Sequence, residues 1–330
     1  MDPKLCVVGS NSFSGAWFVK HALDQGYRVL GVSRSDPPPS PFLPHTWDGE
    51  TPSNFEFIRA DLNHDLESLV TRLREFRPGL VVNFAAQSMV GQSWEAPLDW
   101  YRTNVTASVA FIEELRQWDF LDRYVHISTP EVYGRCSGTI TEAHPSDPST
   151  PYAVSRTAFD MHLAALHRTL GFPVVFTRAA NVFGPGQQLY RILPKALLTF
   201  LKGGVLPLHG GGTSVRSFIH MEDVCRATLD VAQRGKLGEI YHIATRRTVS
   251  IRKLVEMAAG AVGVPFEDHV AVTEDRPGKD PAYVLDTTKI RALGWEEEIE
   301  LEAGLDQTLA WVREYGAILK TLPMEYIHKP

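Results

Sequence analysis

The chain has 330 residues, 44% of them hydrophobic and 22% charged, with a formal net charge of −6. That is roughly two domains' worth of ordinary globular composition, which excludes wholesale disorder. The acidic balance leaves no footprint for a nucleic-acid backbone, and no apolar stretch approaches the ~20 residues of a membrane span.

The N-terminus, Met1-Asp2-Pro3-Lys4, runs at once into a strand and does not read as a signal peptide. Cys6, Cys136 and Cys225 lie far apart with no C-x-x-C pair, and the 12 His show no metal-ligand spacing. Disulfides and a metal site are therefore not expected, and a reducing cytoplasm is. Leu5-Cys6-Val7-Val8 predicts a strand ending at Gly9, and Gly15 opens a helical pattern that stops at Gly26. Further strands are predicted at Arg28–Val32, Phe55–Ile58, Leu80–Phe84, Tyr124–Ile127 and Pro173–Phe176. The prolines at 37–39 and 41 make residues 36–53 a loop. Near-continuous apolar strands alternating with helices predict an α/β fold, a Rossmann-type doubly wound parallel sheet. After about Arg178 the glycine pairs and triplets cut the chain into shorter elements, with helices near Ser250–Val262 and Leu301–Leu319. The expected division is a dinucleotide-binding domain over 1–177 and a smaller C-terminal α/β substrate lobe over 178–330, with some segments returning to the main sheet.

The turn Gly9-Ser10-Asn11-Ser12-Phe13-Ser14-Gly15 joins the first strand to the first helix. In a dinucleotide fold the first glycine permits the tight turn, the last permits close packing, and the helix N-terminus receives the pyrophosphate. Ser12 stands where a middle glycine usually lets backbone approach the ligand. The second strand ends Ser33-Arg34-Ser35-Asp36. Arg34 favours the 2′-phosphate of NADP, and Asp36 is close enough to favour the free ribose of NAD instead. The cofactor is therefore NADP or NAD, with NADP slightly ahead.

Two further segments, Ile127-Ser128-Thr129-Pro130-Glu131-Val132-Tyr133-Gly134 and Pro151-Tyr152-Ala153-Val154-Ser155-Arg156, together resemble the extended short-chain dehydrogenase/reductase family. The likeness is to its nucleotide-sugar 4,6-dehydratases and epimerases, and it spans nearly the whole chain. Asn83-Phe84-Ala85-Ala86-Gln87-Ser88, Thr103-Asn104-Val105, Thr177–Pro185, Arg216–Val224, Asp275–Asp280 and Asp286–Lys289 match further family motifs in order. The resemblance implies that Tyr152 is the base for the sugar C4 hydroxyl and that Thr129 hydrogen-bonds that hydroxyl. A cation one turn along the helix lowers such a phenol's pKa; the family has Lys there and this chain has Arg156, whose planar fork is no isostere of an ammonium. Glu131 matches the family's C5 base. Pro130 stands where the dTDP-glucose enzymes carry a proton-donating Asp.

By the same resemblance, Asp61, Leu62, Ala85, Tyr152 and Arg156 join the cofactor contacts. Gln87 and Ser88 would face the sugar, Asn181, Arg216 and Arg276 the diphosphate and its ribose, and Arg191 and Leu208 the nucleotide. The implied partner is a nucleotide-diphosphate sugar, and the implied assembly is a homodimer through the helices near Leu98–Trp118 and after Tyr152. The expected reaction is 4,6-dehydration. An epimerase sharing Tyr152 and the nicotinamide, or a non-catalytic dinucleotide and sugar-nucleotide binder, are the alternatives. The last residues, Tyr326-Ile327-His328-Lys329-Pro330, match no motif.

Overall fold

The computed structural model describes residues 3–274 and 283–329. Its centre is a seven-stranded sheet, parallel throughout. In chain order the strands are β1 (Lys4–Val8), β2 (Arg28–Ser33), β3 (Phe55–Arg59), β4 (Leu80–Asn83), β5 (Arg123–Ile127), β6 (Gly138–Ile140), β7 (Val174–Ala179), β8 (Asn181–Phe183), β9 (Leu206–His209), β10 (Val215–His220) and β11 (Ile240–Ile243). The main sheet has the order β11-β7-β5-β4-β1-β2-β3. β6, β8, β9 and β10 belong to smaller sheets. Strand order reverses between β1 and β4, and in open α/β sheets the ligand crevice lies beyond the carboxyl ends of the strands at that point.

Leu5, Cys6, Val7 and Val8 of β1 are all buried, because both faces of the sheet are covered. Helix α1 (Phe13–Asp24) packs on one face with α7, the helix Met221–Arg234. The other face carries α2 (Leu66–Phe76), α3 (Pro97–Tyr101), α4 (Ser108–Leu115) and α5 (Pro151–Leu170). The first helix begins at Phe13, two residues before the sequence pattern places it, because Ser12 caps it: its hydroxyl accepts from Gly15 N at 3.0 Å. Helix α5 has Thr150 as its cap and Pro151 in its first turn, and it ends on Gly171 at φ 72°. Between α3 and α4 the helix widens into a π-helical stretch, Arg102–Ala107.

Residues 36–53 contain only two short 3₁₀ turns, Ser40–Phe42 and Pro44–Thr46, each opened by proline. A second core gathers Phe183, Leu193, Leu197, Leu208, Leu254 and Leu305. Asp223, fully buried, ties α7 to the segment just before Leu301: its carboxylate pairs with Arg226 and accepts from Glu298 N and Ile299 N at 3.1 Å each. Satisfied by three donors, that charge tolerates burial. β11, well beyond residue 178, completes the edge of the main sheet beside β7.

Candidate active site

The glycine turn is built so tightly that two side chains are excluded from it. Gly9 has φ 85°, and a Cβ there would lie 2.7 Å from Ala85 N. A Cβ on Gly15 would lie 2.1 Å from Gly9 O. Ser12, by contrast, has φ −74° and ψ 160°, an ordinary extended conformation, so no glycine is required there. Its hydroxyl donates to Gly9 O at 2.7 Å while capping α1. Asn11 N donates to Ser33 Oγ at 2.9 Å, and Asn11 Nδ2 to Ser35 O at 2.9 Å, which locks the turn to the end of β2. Phe13 is buried and Ser14 half-buried. The result is a cradle of backbone at the amino end of α1, lying against Phe84 and Ala85 after β4. That shape and polarity fit a dinucleotide pyrophosphate.

At the end of β2 the candidates separate. Asp36 pairs with Arg59 at 3.1 Å on the surface, while the Arg34 guanidinium donates to the Lys329 carbonyl at 2.9 Å. Asp61 Oδ1 accepts from Asn63 N at 2.8 Å, and Leu62 is buried in the core under α2. The Asp61 N–H is likewise taken, donating to Asp65 Oδ2 at 2.9 Å.

The chemistry-bearing residues converge on the carboxyl end of β5. Thr129 caps a 3₁₀ turn, Pro130–Tyr133, its Oγ1 accepting from Glu131 N at 3.3 Å. Pro130 fits the first position of that turn, where no N–H is needed. Helix α5, whose first turn holds Tyr152, packs against it, and Tyr152 and Thr129 are each only 8% exposed. Tyr152 is held through its backbone: Ser155 Oγ donates to its carbonyl at 2.7 Å and accepts from Asn104 Nδ2 at 3.0 Å. The Asn104 amide also closes on both backbone groups of Gln87, at 2.8 and 2.9 Å. One buried amide in the π-helical stretch thus ties the loop after β4 to the start of α5.

Arg156 is buried at 4% exposure and turned under the sheet. Its guanidinium donates to the Ile127 carbonyl and lies 3.2 Å from His126 Nε2. Beyond it is a charge network that sequence reading missed. Asp160, one turn after Arg156, accepts from Ser128 Oγ at 2.6 Å and Arg178 Nη2 at 2.8 Å, and its other oxygen is 3.2 Å from His126 Nε2. Burial alone would raise the Asp160 carboxyl, but the His126 contact and the Arg178 charge overrule it and hold it well below the usual carboxylate range. Burial drives His126 down to about 4, so its ring is neutral. Arg178 also sits over the Tyr133 ring at 4.7 Å, and Tyr133 OH meets His242 Nε2 at 2.6 Å. The only signal in the sequence was a polar His126 inside an otherwise apolar strand.

On the substrate side, Gln87 is buried and Ser88 exposed. Asn181 is exposed on β8, Arg191 is exposed at the start of the helix Ile192–Leu201, and Arg216 is half-buried on β10. Leu208 is 2% exposed in the second core, so its side chain supports the lobe from within. Arg276 and the Asp275–Asp280 run lie outside the described residues.

The family described as GDP-mannose 4,6 dehydratase matches residues 6–308. A dTDP-glucose 4,6-dehydratase of Xanthomonas campestris pv. campestris is 32% identical over 92% of this chain and 92% of its own. Among solved structures, a dTDP-glucose 4,6-dehydratase of Streptomyces venezuelae, bound to NAD, has a TM-score of 0.87 at 32% identity, covering 95% of this chain and 98% of that one. The UDP-glucose 4-epimerase of Thermotoga maritima, with UDP-glucose, has a TM-score of 0.85 at 25% identity, covering 94% and 99%. Glycine turn, Thr129–Tyr133 turn and Tyr152 helix occur in one order on one sheet, and the match runs nearly end to end; the chain belongs to the GDP-mannose 4,6-dehydratase family of extended short-chain dehydrogenases/reductases.

Proposed function

We propose that the chain is a nicotinamide-dependent 4,6-dehydratase of a nucleotide-diphosphate hexose. The observation that supports this is the packing of the turn that carries Glu131, capped by Thr129, on α5, whose first turn carries Tyr152, beyond the carboxyl end of β5. A bound nicotinamide would supply the two-electron acceptor for sugar C4 and the hydride for C6, with C5 taking up a proton from water in that last step. Tyr152 takes the C4 hydroxyl proton, and Thr129 orients that oxygen. Glu131 takes the C5 proton once C4 is a ketone. Pro130 has no proton to give, so Glu131 returns the same proton to the departing C6 hydroxyl, which leaves as water. Arg156 steadies the end of β5 and the first turns of α5 rather than replacing a ribose-binding ammonium.

Residues 1–177 would carry the dinucleotide and 178–330 the sugar nucleotide, with Asn181, Arg191 and Arg216 toward the diphosphate. Leu98, Val154 and Met161 are 62%, 38% and 61% exposed on α3 and α5, apolar surface that supports a homodimer through those helices. No helix among the described residues is long and apolar enough to cross a membrane, and the three cysteines are free. A reducing cytoplasm suits both.

The test is mass spectrometry of GDP-mannose, dTDP-glucose, UDP-GlcNAc and CDP-glucose incubated with the chain and either nicotinamide. A product lighter by one water supports the dehydratase and names its nucleotide, and Glu131→Gln should abolish it. Isomerised sugar of unchanged mass would replace this reading with the epimerase, which the proton-less Pro130 favours. Binding without product would leave a sensor.

A further inference from the structure

The last described residues run from the helix Ile192–Leu201 to the ends of β2 and β4. Along 322–328 the even-numbered residues Leu322, Met324, Tyr326 and His328 are half-buried and the odd-numbered ones exposed, so one side of the segment lies on the protein. It is fastened first to the substrate lobe, where Glu325 pairs with Lys195 at 2.7 Å and Tyr326 packs edge-on to Tyr190, ring centroids 5.3 Å apart. It then crosses to the dinucleotide half. His328 stacks on Trp100 at 5.0 Å, and its Nε2 meets Asp99 Oδ2 at 2.9 Å. Beyond it, one carbonyl, that of Lys329, accepts from Gln87 Nε2 at 2.7 Å and from Arg34 Nη2 at 2.9 Å. Both donors read from the sequence as ligand-facing; bonded to one oxygen, they lie side by side, so the Gln87 side chain is turned to the Arg34 end of β2.

We propose that residues 324–329 are a strap that decides which nicotinamide the chain takes: the Lys329 carbonyl holds the Arg34 guanidinium and presents an oxygen where a 2′-phosphate would have to sit. A 2′-phosphate needs donors at the end of β2. Here it meets an acceptor already bonded to the one cation expected to receive it, and must displace a segment anchored at Lys195, Tyr190, Asp99 and Trp100. A free 2′-hydroxyl carries no charge to be repelled and can itself donate to an acceptor. The strap therefore turns a strand end that reads as NADP-type into one that selects NAD.

This rests on the reading of the cleft as a dinucleotide site. It is tested by calorimetric titration of NAD and NADP into the full-length chain, into His328→Ala, and into a chain ending at Pro323. The full-length chain should bind NAD at least tenfold more tightly than NADP. His328→Ala loses the Asp99 and Trp100 anchors while keeping its full length, and should shrink that ratio severalfold. The shortened chain should shrink it tenfold or more, chiefly through tighter NADP, and Arg34→Ala in that background should remove the gain. An unchanged ratio in His328→Ala and in the shortened chain overturns the proposal, as does a full-length preference for NADP. Should the shortened chain fail to fold by circular dichroism, His328→Ala decides. Because binding is read without turnover, a chain that discriminates as expected but removes water from no sugar would refute the proposed reaction and leave the strap standing.

Discussion

Acidification from neutral pH to pH 5 is expected to lower the chain's stability substantially, beginning above the range where carboxylates titrate. His45, His126, His220 and His242 are all buried, and burial lowers each to about 4. In the unfolded chain each returns to about 6.5. Above that value both states are neutral and nothing is lost. As pH falls below it, the unfolded chain takes up protons that the folded chain refuses, so stability drops until about pH 4, where both states are charged. At pH 5 the difference is about 2 kcal/mol for each ring, or roughly 8 kcal/mol for four, against the ~5–15 kcal/mol that holds a domain together. Asp160, held below its ordinary range, adds its own loss only under about pH 4. The assay is urea unfolding followed by tryptophan fluorescence at half-unit steps across this window. Stability should fall by roughly 5 kcal/mol per pH unit near pH 5, equivalent to three to four protons taken up on unfolding. A flat profile down to pH 4.5 would show that these rings charge inside the fold and would refute the reasoning.

Three further outcomes follow from the geometry. Gly15→Ala would place a methyl 2.1 Å from Gly9 O, so the turn must open; NAD affinity should fall at least tenfold by calorimetry and the melting temperature should fall with it. Asp160→Ala leaves Arg178 buried without its carboxylate and Ser128 without its acceptor, and should cost about 3–5 kcal/mol in urea unfolding. Tyr152→Phe keeps the ring and loses only the phenol proton acceptor, so kcat should fall by roughly 10²–10⁴ with dinucleotide affinity unchanged.

The parts of the site visible in the sequence are those built from neighbours along the chain. The strand–turn–helix around Gly9 and Gly15, the Thr129–Tyr133 turn and the start of α5 each declare themselves within a few residues. What stayed hidden depends on pairing across distance. Nothing local distinguishes Arg156 reaching into the cleft from Arg156 reaching under β5; the choice is made by His126 and the Ile127 carbonyl, about 30 residues away. Asp160 reads as a surface residue of a helix until Arg178, on the adjacent strand, turns toward it. The return of β11 to the main sheet and the docking of Lys329 on Arg34 and Gln87 are likewise decided by topology, which periodicity does not carry. Ser12 reads as a departure because the motif expects glycine, yet its negative φ makes serine an ordinary residue there, and a useful one as cap.

The placement of β11 and α7 bears on how the protein comes off the ribosome. Synthesis proceeds from the N-terminus, and all the residues of the glycine turn and the Tyr152 helix have been made by residue 177. At that point one face of the sheet, with Val7, Val82, Val125 and Val175, still lacks the cover that Val224, Ala227 and Val231 of α7 provide. The outer edge of β7 also has no partner until β11 is translated. An apolar sheet face beside an open strand edge is the usual starting point for aggregation. The nascent chain therefore needs shelter across a delay of about 65 residues, and an expression fragment cut at the apparent domain boundary should be insoluble where the whole chain is not.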